Sequence, residues 1–410
     1  MTVTIIGGGA AGMMAVVAIK ENNPDVKVIL IEKNSLLGRK VLISGGGRCN
    51  LTTGVQDVRQ VLTKYARGEK FLTSAMYNFP PADVYEWFED KGVPLKIEDD
   101  MRVFPQSNQG QDVVGVFEQI FQEHGVEVIL RNAVASVQKK DDKFFIKLGS
   151  GKEIYSDKLI LTTGGEAYRH TGSTGDGYKF AETLGHTITS LAASLNSFNI
   201  QEDWIKELSG VSFENVSLQV LNTKYSARGP IVCTHNGISG PAVFALSSQV
   251  AFEDYKKDNP LLIEVDFVPH ISKQELVKSI NQILLLNPKQ QIQKTLHSWL
   301  PKSMVKQQLN NLQIPEDQAN ASVSKQDRIR IVDWMKSCSL SVIGRGSGSE
   351  FVTAGGVDTA EVNPSTMESK ICPGLYFAGE ILNIDGITGG FNLQSAWATG
   401  RLAGESVVSI

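Results

Sequence analysis

Residues 3–32, VTIIGGGAAGMMAVVAIKENNPDVKVILIE, decide the fold of this chain. The apolar run from Val3 to Ile6 predicts a buried parallel strand, and the small apolar residues from Met13 to Ile19 predict a helix packed on a sheet. A second apolar run, Val26 to Ile31, ends on Glu32. Strand, glycine turn, helix, strand and acid follow one another in the order of a dinucleotide-binding βαβ unit.

The glycines of this turn have separate tasks. Gly7 allows the turn out of the strand, Gly9 lets the backbone approach a pyrophosphate, and Gly12 lets the helix lie close to the sheet. The helix N-terminus offers unpaired N–H groups to the phosphates. Glu32 is placed to accept hydrogen bonds from ribose hydroxyls, and its charge disfavours NADP. The motif alone does not separate FAD from NAD. The predicted nucleotide contacts in this stretch are Gly7, Gly9, Ala10, Ala11, Gly12, Glu32 and Lys33.

Composition and charge fit a soluble enzyme. At 410 residues, with 41% hydrophobic and 20% charged residues, the chain can form two or three domains. A net charge of −4 without a long basic run argues against nucleic acid as the main partner. The motif begins almost at Met1, no signal peptide is recognised, and no apolar run approaches the ~20 residues of a spanning helix. We therefore expect a cytoplasmic protein without a membrane partner.

Cysteine and histidine spacing predicts neither a disulfide framework nor a metal site. The four cysteines form no CxxC pair, and the six histidines are scattered. Cys49 follows Arg48, which allows two interpretations: a thiol of lowered pKa in redox chemistry, or a small buried residue.

A second glycine cluster, Gly45–Gly47, lies in GRKVLISGGGRCN, residues 38–50. Three successive glycines suit a backbone that passes close to something flat or charged, and Arg39, Lys40 and Arg48 add positive charge. A flexible surface loop with solvated basic residues is the alternative. The predicted cofactor contacts here are Arg39, Lys40, Ser44, Gly45, Gly46, Arg48, Cys49 and Asn50.

The chain up to residue 190 predicts further elements of the same domain. Short strand patterns between Val126 and Tyr155 predict a three-stranded antiparallel ribbon, in which the backbone near Val134 could meet an adenine edge. The strand Lys158–Leu161 is followed by a turn that either meets the nucleotide or is a plain turn. Its predicted contacts are Thr163, Gly164 and Gly165. Tyr168 and His170 lie between this turn and the next glycine-rich stretch.

From about Leu191 the pattern changes to short alternating segments, which predict a β-rich insert or a small barrel. This region contains THNGISGP with His235. Residues 272–337 show helical periodicity broken by prolines, which predicts a helical cap. The predicted domains are a discontinuous FAD-binding domain (1–190 and 345–410), a β-rich insert (191–268 and 338–344) and a helical insert (269–337).

The C-terminal segment favours FAD over NAD. A strand at Gly374–Ala378 leads to Gly379 and Glu380, and a helix begins near Gly390. The acid can bond the ribityl hydroxyls, and the helix N-terminus can face the flavin edge that becomes negative on reduction. NAD has no ribityl chain and does not need this element. The predicted contacts are Gly379, Glu380, Gly390, Phe391, Asn392 and Leu393.

Six segments together carry a family resemblance. TIIGGGAAG, GRKVLISGGGRCNLT, TTGG with TGSTGDGY, THNGISGPA, TAGGV and GLYFAGEILNIDGITGGFNLQSAWATG occur in one order. The chain resembles the aminoacetone-oxidase-like FAD-dependent oxidoreductases of bacteria. The resemblance implies a Rossmann-type, glutathione-reductase-like FAD domain with an inserted β-barrel and small helical domain. It also implies FAD at the contacts named above. Asn383 stands where the family often has an aspartate, and the family's amine and steroid-like substrates do not transfer.

The leading hypothesis is a FAD-dependent oxidoreductase that transfers hydride to or from a small organic molecule. Its candidate pocket residues are Arg48, Tyr168, His235 and Asp385. Gly344, Gly346 and Gly348 do not complete a second dinucleotide motif, so the electron partner is either a transiently bound NAD(P)H or oxygen. An NAD-dependent dehydrogenase and a scaffold with structural FAD are the alternatives. No feature of the sequence indicates an oligomeric state.

Overall fold

A parallel sheet is the centre of the N-terminal part of the chain. The computed structural model describes residues 1–346 and 351–409, so Gly348 lies outside the described residues. The strands of these residues are β1 (Thr2–Ile6), β2 (Lys27–Ile31), β3 (Thr52–Thr53), β4 (Tyr65–Arg67), β5 (Leu95–Ile97), β6 (Arg102–Pro105), β7 (Glu127–Ile129), β8 (Val134–Lys140), β9 (Lys143–Leu148), β10 (Glu153–Ser156), β11 (Lys158–Leu161), β12 (Ala192–Ser194), β13 (Phe198–Ile200), β14 (Ser212–Val220), β15 (Ser226–Thr234), β16 (Gly237–Ser239), β17 (Leu261–Asp266), β18 (Cys338–Arg345), β19 (Val352–Ala354), β20 (Leu375–Phe377) and β21 (Asp385–Gly386).

The helices differ in length from one turn to five. In the described residues they are α1 (Ala10–Asn22), α2 (Arg39–Ile43), α3 (Val58–Leu62), α4 (Thr73–Asn78), α5 (Pro81–Asp90), α6 (Gly110–Glu123), α7 (Asp176–Thr183), α8 (Asp203–Glu207), α9 (Pro241–Gln249), α10 (Lys273–Leu286), α11 (Ile292–Leu296), α12 (Lys302–Asn311), α13 (Lys325–Lys336) and α14 (Phe391–Val408). Within the described ranges, no helix is both long and apolar enough to cross a membrane.

The described chain divides into two compact units. The first takes in Met1–Ser194 and the chain from Phe351 onward, and the second begins at Leu195. Each unit has its own cluster of buried apolar side chains. The finer division into three domains, with the boundaries given above, stays a prediction.

The first unit has the predicted Rossmann architecture. Its five-stranded sheet has the order β20-β11-β1-β2-β7, and every neighbouring pair is parallel. All side chains from Val3 to Ile6 are buried, because a parallel sheet is covered on both faces. Strands β8, β9 and β10 form the antiparallel ribbon, whereas β7 joins the parallel sheet beside β2.

The second unit contains a closed six-stranded barrel with the order β13-β16-β15-β14-β17-β18. The predicted fold class, a Rossmann-type domain with an inserted barrel and helices, is therefore confirmed. One segment differs from the expected β-rich pattern. The residues after THNGISG form helix α9, because Pro241 occupies its first turn and small apolar residues follow. Helices α10–α13 share one apolar core with the barrel.

Helices α1 and α14 join the two ends of the first unit. A Cβ added at Gly400 would lie 2.3 Å from the carbonyl oxygen of Ala11, and one added at Gly404 would lie 2.5 Å from that of Ala15. Any side chain at these two positions would therefore push the helices apart.

This contact predicts the outcome of a pair of helix substitutions. Gly400→Ala should destabilise the first unit by about 1–3 kcal/mol, the usual cost of overpacking. Gly115→Ala in α6 is the matched control, because no described atom outside the helix's own backbone lies within 4 Å of the added Cβ. The control should be neutral or stabilising by up to roughly 1 kcal/mol, since alanine favours a helix over glycine. Denaturant titration measures both, and an unchanged midpoint for Gly400→Ala would contradict the close contact.

Candidate cofactor site

The carboxyl ends of four parallel strands bring the predicted glycine turns to one edge of the sheet. Gly7 follows β1, Glu32 follows β2, Thr162 follows β11 and Ala378 follows β20. Parallel strands that share a sheet end at the same edge, where ligands of open α/β sheets bind. The segments predicted from the two ends of the sequence therefore meet in space.

The first turn leaves room for a ligand at one glycine and none at the others. Gly7 has a φ of 109°, and a Cβ there would lie 2.5 Å from the Thr162 carbonyl oxygen. A Cβ at Gly12 would lie 2.0 Å from the Gly7 oxygen. At Gly9, by contrast, no described atom lies within 4 Å of an added Cβ. The open space lies at the N-terminus of α1, where the close approach to a pyrophosphate was predicted.

The N-terminus of α1 also presents free donors. The first bond of the helix runs from the Met13 N–H to the Gly9 oxygen at 2.9 Å. The N–H groups of Ala10, Ala11 and Gly12 precede this bond and therefore have no partner inside the helix. Together with the positive end of the helix dipole they suit an anionic group.

Glu32 is buried and held in one position. Its Oε2 accepts the Gly8 N–H at 2.8 Å, and its Oε1 accepts the Asn34 N–H at 2.8 Å. The Asn132 N–H donates to the Glu32 carbonyl at 3.2 Å, which brings the segment before Val134 alongside. Glu32 and the start of β8 thus share one side of the N-terminal turn, as an adenosine-binding end requires.

Lys33 connects this turn to the TGSTGDG segment. Its Nζ donates to Thr174 Oγ1 at 2.5 Å and to Asp176 Oδ2 at 2.7 Å. Burial alone would raise the pKa of Asp176, but the bonds from Lys33 and Thr174 hold it below its usual range. The ammonium group of Lys33 thus supports the neighbouring loop, and its predicted cofactor contact stays a prediction.

The loop at Gly45–Gly47 has a left-handed backbone and is exposed. Gly45 and Gly46 have φ values of 57° and 71°, and an added Cβ at Gly46 or Gly47 meets no described atom within 4 Å. The Ser44 hydroxyl donates to the Val41 carbonyl at 2.8 Å. Glycines with open space beside them in this position fit the predicted approach of a flat ring system.

Arg48 is fixed beside this loop, whereas Arg39 is exposed. Arg48 Nη1 donates to Glu98 Oε1 at 2.6 Å, and the guanidinium carbon lies 3.9 Å from the Phe104 ring centroid. Arg39 Nη1 donates only weakly, to Asn34 Oδ1 at 3.2 Å. Arg48 is therefore held by charge and by stacking at once.

Cys49 is a fully buried residue. Burial raises the pKa of its thiol to about 12, although a hydrogen bond with Ser44 opposes the rise. The interpretation with a lowered pKa is therefore wrong, because the side chain is buried in the apolar core of the first unit.

Glu380 joins the C-terminal segment to the N-terminal half. Its Oε2 accepts a hydrogen bond from Lys40 Nζ at 2.8 Å, and its Oε1 accepts the Thr353 N–H at 3.0 Å. A Cβ at Gly164 would lie 3.9 Å from the same Oε2, and one at Gly379 would lie 2.9 Å from the Ala11 Cβ. Lys40, Gly164, Gly379 and Glu380 were predicted separately, and the structure brings them together.

The N-terminus of α14 lies beside the same region. The first bond of this helix runs from the Gln394 N–H to the Gly390 oxygen at 2.9 Å, so the N–H groups of Phe391, Asn392 and Leu393 precede it. Gly390 has a φ of 90°, and a Cβ there would lie 2.1 Å from the Thr52 oxygen. The helix terminus is thus pressed against the strand that follows the Ser44–Asn50 loop.

The other predicted pocket residues are Tyr168, His235 and Asp385. Tyr168 packs its ring edgewise on His170 and Phe351, at 5.7 and 5.9 Å between centroids. His235 is an exposed residue of the second unit, in the turn between β15 and β16. Asp385 is fully buried, in a bidentate ion pair with Arg67, and accepts the Ser194 hydroxyl at 2.7 Å.

The Asp385 cluster is a contact that the sequence did not predict. Burial raises the pKa of Asp385, and the Arg67 guanidinium and the Ser194 hydroxyl oppose that rise. Strand β21, which carries Asp385, pairs with β4, which carries Arg67. The pair therefore fixes the turn before α14. No short-range pattern could reveal it, because its members come from distant parts of the chain.

Several buried polar atoms fit a bound dinucleotide. Within the described residues, Thr163 Oγ1, Tyr178 OH, Asn50 Oδ1 and Asn383 Oδ1 are buried without a hydrogen-bond partner. Unpaired buried polar atoms are costly, and a polar ligand removes the cost. Tyr178 was not predicted as a contact. Burial is the largest cause that raises the pKa of its phenol, and the negative charges of Glu380 and Glu166 raise this pKa further. It therefore lies near the Glu380 group.

Comparison with known proteins shows the family of this chain. The family model described as HI0933-like protein Rossmann domain matches residues 1–406. The chain belongs to this family. It is a FAD-dependent oxidoreductase, and the predictions of a FAD cofactor and of an enzyme are confirmed. The hypotheses of an NAD-dependent dehydrogenase and of a scaffold lose their support.

Relatives match the chain over almost its full length. The 3-dehydro-bile acid delta(4,6)-reductase of Clostridium scindens is 30% identical over 98% of this chain and 98% of its own. The ribosomal RNA dihydrouridine synthase of Escherichia coli is 30% identical over 99% of this chain and 97% of its own. Among solved structures, the 3-ketosteroid-delta4-(5alpha)-dehydrogenase of Rhodococcus jostii covers 100% of this chain and 96% of its own, with 15% identity and a TM-score of 0.51. This last likeness concerns the fold alone.

The open space at Gly9 predicts a selective loss of cofactor. Gly9→Val should leave the protein folded, because no described atom obstructs the new side chain and the φ of −83° is allowed for valine. The branched side chain should nevertheless occupy the place of the pyrophosphate. We expect a protein with unchanged circular dichroism that purifies without the flavin absorbance. A yellow, fully loaded Gly9→Val protein would contradict the assignment.

Proposed function

We propose that this protein reduces a carbon–carbon double bond that is conjugated to a carbonyl group. One observation supports the proposal. Two relatives, each 30% identical over nearly the whole chain, have different names, but both names describe the reduction of this type of bond. A 3-dehydro bile acid with Δ4,6 unsaturation has double bonds conjugated to its 3-oxo group. Uridine becomes dihydrouridine when the ring double bond next to a carbonyl is reduced.

The reduction adds one hydride and one proton across the double bond. When bound, FAD supplies the hydride from its reduced form, and a nicotinamide donor such as NADH or NADPH replaces the two electrons. The hydride goes to the carbon distant from the carbonyl, and the proton goes to the adjacent carbon. The chain's own part is to bind the flavin, to orient the carbonyl and to exclude competing acceptors.

The predicted contacts divide this work. The α1 N-terminus and Gly9 suit the pyrophosphate, Glu32 suits the adenosine ribose, and the Lys40–Glu380 pair suits the ribityl side. The N-terminus of α14 would stabilise negative charge on the ring system. Each of these contacts is a proposal that agrees with the open donors and the spacing described above.

Arg48 is the proposed group for the substrate carbonyl. It sits beside the exposed Gly45–Gly47 backbone and carries several donors, of which Glu98 takes one. Glu98 and Phe104 hold the guanidinium in one orientation, which suits a hydrogen bond that must be in place before hydride transfer. The resemblance to aminoacetone-oxidase-like enzymes stays a prediction, and amine oxidation is the reaction that the test below must exclude.

Reoxidation of the reduced protein tests the proposal. The flavin is reduced under anaerobic conditions and mixed with a 3-oxo-Δ4 steroid, with a uridine-containing RNA, or with the saturated ketone of the same steroid skeleton. We expect at least one unsaturated substrate to restore the oxidised visible spectrum and to gain two hydrogen atoms by mass spectrometry. The saturated ketone should do neither.

Amines provide the opposite test. If aminoacetone or another primary amine reduces the oxidised flavin, and neither unsaturated substrate reoxidises the reduced flavin, the proposed reaction is wrong. The visible spectrum of the flavin thus distinguishes amine oxidation, which reduces the flavin, from double-bond reduction, which reoxidises it.

A further inference from the structure

The helical part of the second unit has a charge opposite to that of the whole chain. Residues 276–315 contain five lysines and one histidine but no aspartate or glutamate, although the net charge of the chain is −4. The nearest acids in sequence are Glu275 and Glu316, which bound this stretch. A segment of one sign within a chain of the other sign produces a local positive field.

The lysines that follow α10 in this stretch are exposed, and some of the positive side chains are neighbours. Lys289, Lys294, Lys302 and Lys306 are all exposed. Lys302 and Lys306 are one turn apart on α12 and therefore share a face. After burial, the charge of Lys302 is the second cause that lowers the pKa of His297, which follows α11. These residues, Lys289, Lys294, His297, Lys302 and Lys306, are called the basic face below.

Acidic side chains do not neutralise the basic face. The ion pairs of the neighbouring elements involve other cations: Lys273 with Asp333 at 2.6 Å, Arg330 with Asp327 at 3.1 Å and Lys336 with Asp266 at 2.6 Å. Within the described residues, none of the four lysines of the basic face takes part in an ion pair. Their charges therefore remain available to a partner.

The same stretch of sequence is rich in amide side chains. Asn287, Asn310, Asn311 and Gln313 are exposed. Lysine charges with exposed amides are the groups that contact the phosphates and sugars of nucleic acids. Leu285 and Leu286, at 78% and 71% exposure, are two apolar side chains of this stretch that offer little area to a lipid bilayer.

We propose that the basic face binds the phosphate backbone of RNA. The inference rests on the proposed function, because uridine in RNA is one of the two substrate classes with the required conjugated bond. It reverses the expectation of no nucleic-acid partner, which was based on the charge of the whole chain. That average conceals a segment whose sign differs from the remainder.

RNA binding by matched charge variants tests this proposal. The FAD-loaded full-length protein is titrated with a fluorescently labelled RNA stem-loop containing uridines, and anisotropy is measured at several salt concentrations. The triple variant Lys294→Gln, Lys302→Gln, Lys306→Gln should bind more weakly. Each lysine that contacts a phosphate contributes about 0.7–0.9 to the slope of log K against log salt, so the slope should fall by about 2–3.

A second triple variant controls for net charge. Lys70→Gln, Lys91→Gln, Lys147→Gln removes three exposed lysines from the first unit, so both triple variants have the same net charge. We expect its affinity and salt slope to remain close to those of the wild type. Equal weakening by the two variants, or a wild type that does not bind the RNA, would overturn the proposal.

Two further measurements distinguish RNA binding from membrane binding, and failure of the basic-face proposal from failure of the proposed reaction. Vesicles containing phosphatidylserine replace the RNA in a parallel titration, and binding to vesicles alone would overturn the proposal in favour of a membrane surface. Reoxidation of the reduced flavin by the 3-oxo-Δ4 steroid is measured with the basic-face variant. If that reaction proceeds and RNA binding does not depend on the lysines, the basic-face proposal fails while the proposed reaction stands.

Discussion

The close packing of α1 against α14 is the constraint on which the first unit depends. The carbonyl oxygens of Ala11 and Ala15 face Gly400 and Gly404 at distances that admit no Cβ. This contact joins residues from the two ends of the chain, with the second unit inserted between them in sequence. The turn after β1 and the turn after β20 are consequently held side by side, and Gly379 packs on Ala11.

Parallel strand direction turns this packing into a binding site. Since β1, β2, β11 and β20 all run the same way, the glycines and acids that follow them gather at one edge. The Lys40–Glu380 ion pair adds a partly buried electrostatic link across the same edge. An extended dinucleotide needs contacts along its whole length, and this arrangement supplies donors at two helix N-termini together with the carboxylates of Glu32 and Glu380.

Patterns with local causes were predictable from the sequence. The strand, glycine turn, helix and acid of residues 3–32 appear in the structure because each depends on neighbours in sequence. The alternating segments and the family resemblance predicted an inserted barrel, but not its strand order, since its closure depends on the pairing of β13 with β18 across the intervening insert. Helix α9 was missed because its small apolar residues also suit a strand.

The contacts between distant residues were not predictable. Arg67 and Asp385 are far apart in sequence, and nothing local to either indicates the other. The burial of Cys49 was also not predictable: its neighbour Arg48 allowed a reactive thiol, but the side chain is buried in the core. The basic face was not predictable from the net charge of the chain, because that charge averages over segments of opposite sign. In each case the deciding fact is three-dimensional placement, which a single sequence does not contain.

The central claim is that both ends of the chain hold one FAD molecule, and hydrogen–deuterium exchange tests it most directly. Exchange is compared between the apoprotein and the protein reconstituted with FAD. The account predicts that FAD slows amide exchange together in residues 9–12, 44–50 and 380–393. Protection confined to the N-terminal turn, with residues 380–393 exchanging as fast as in the apoprotein, would contradict it.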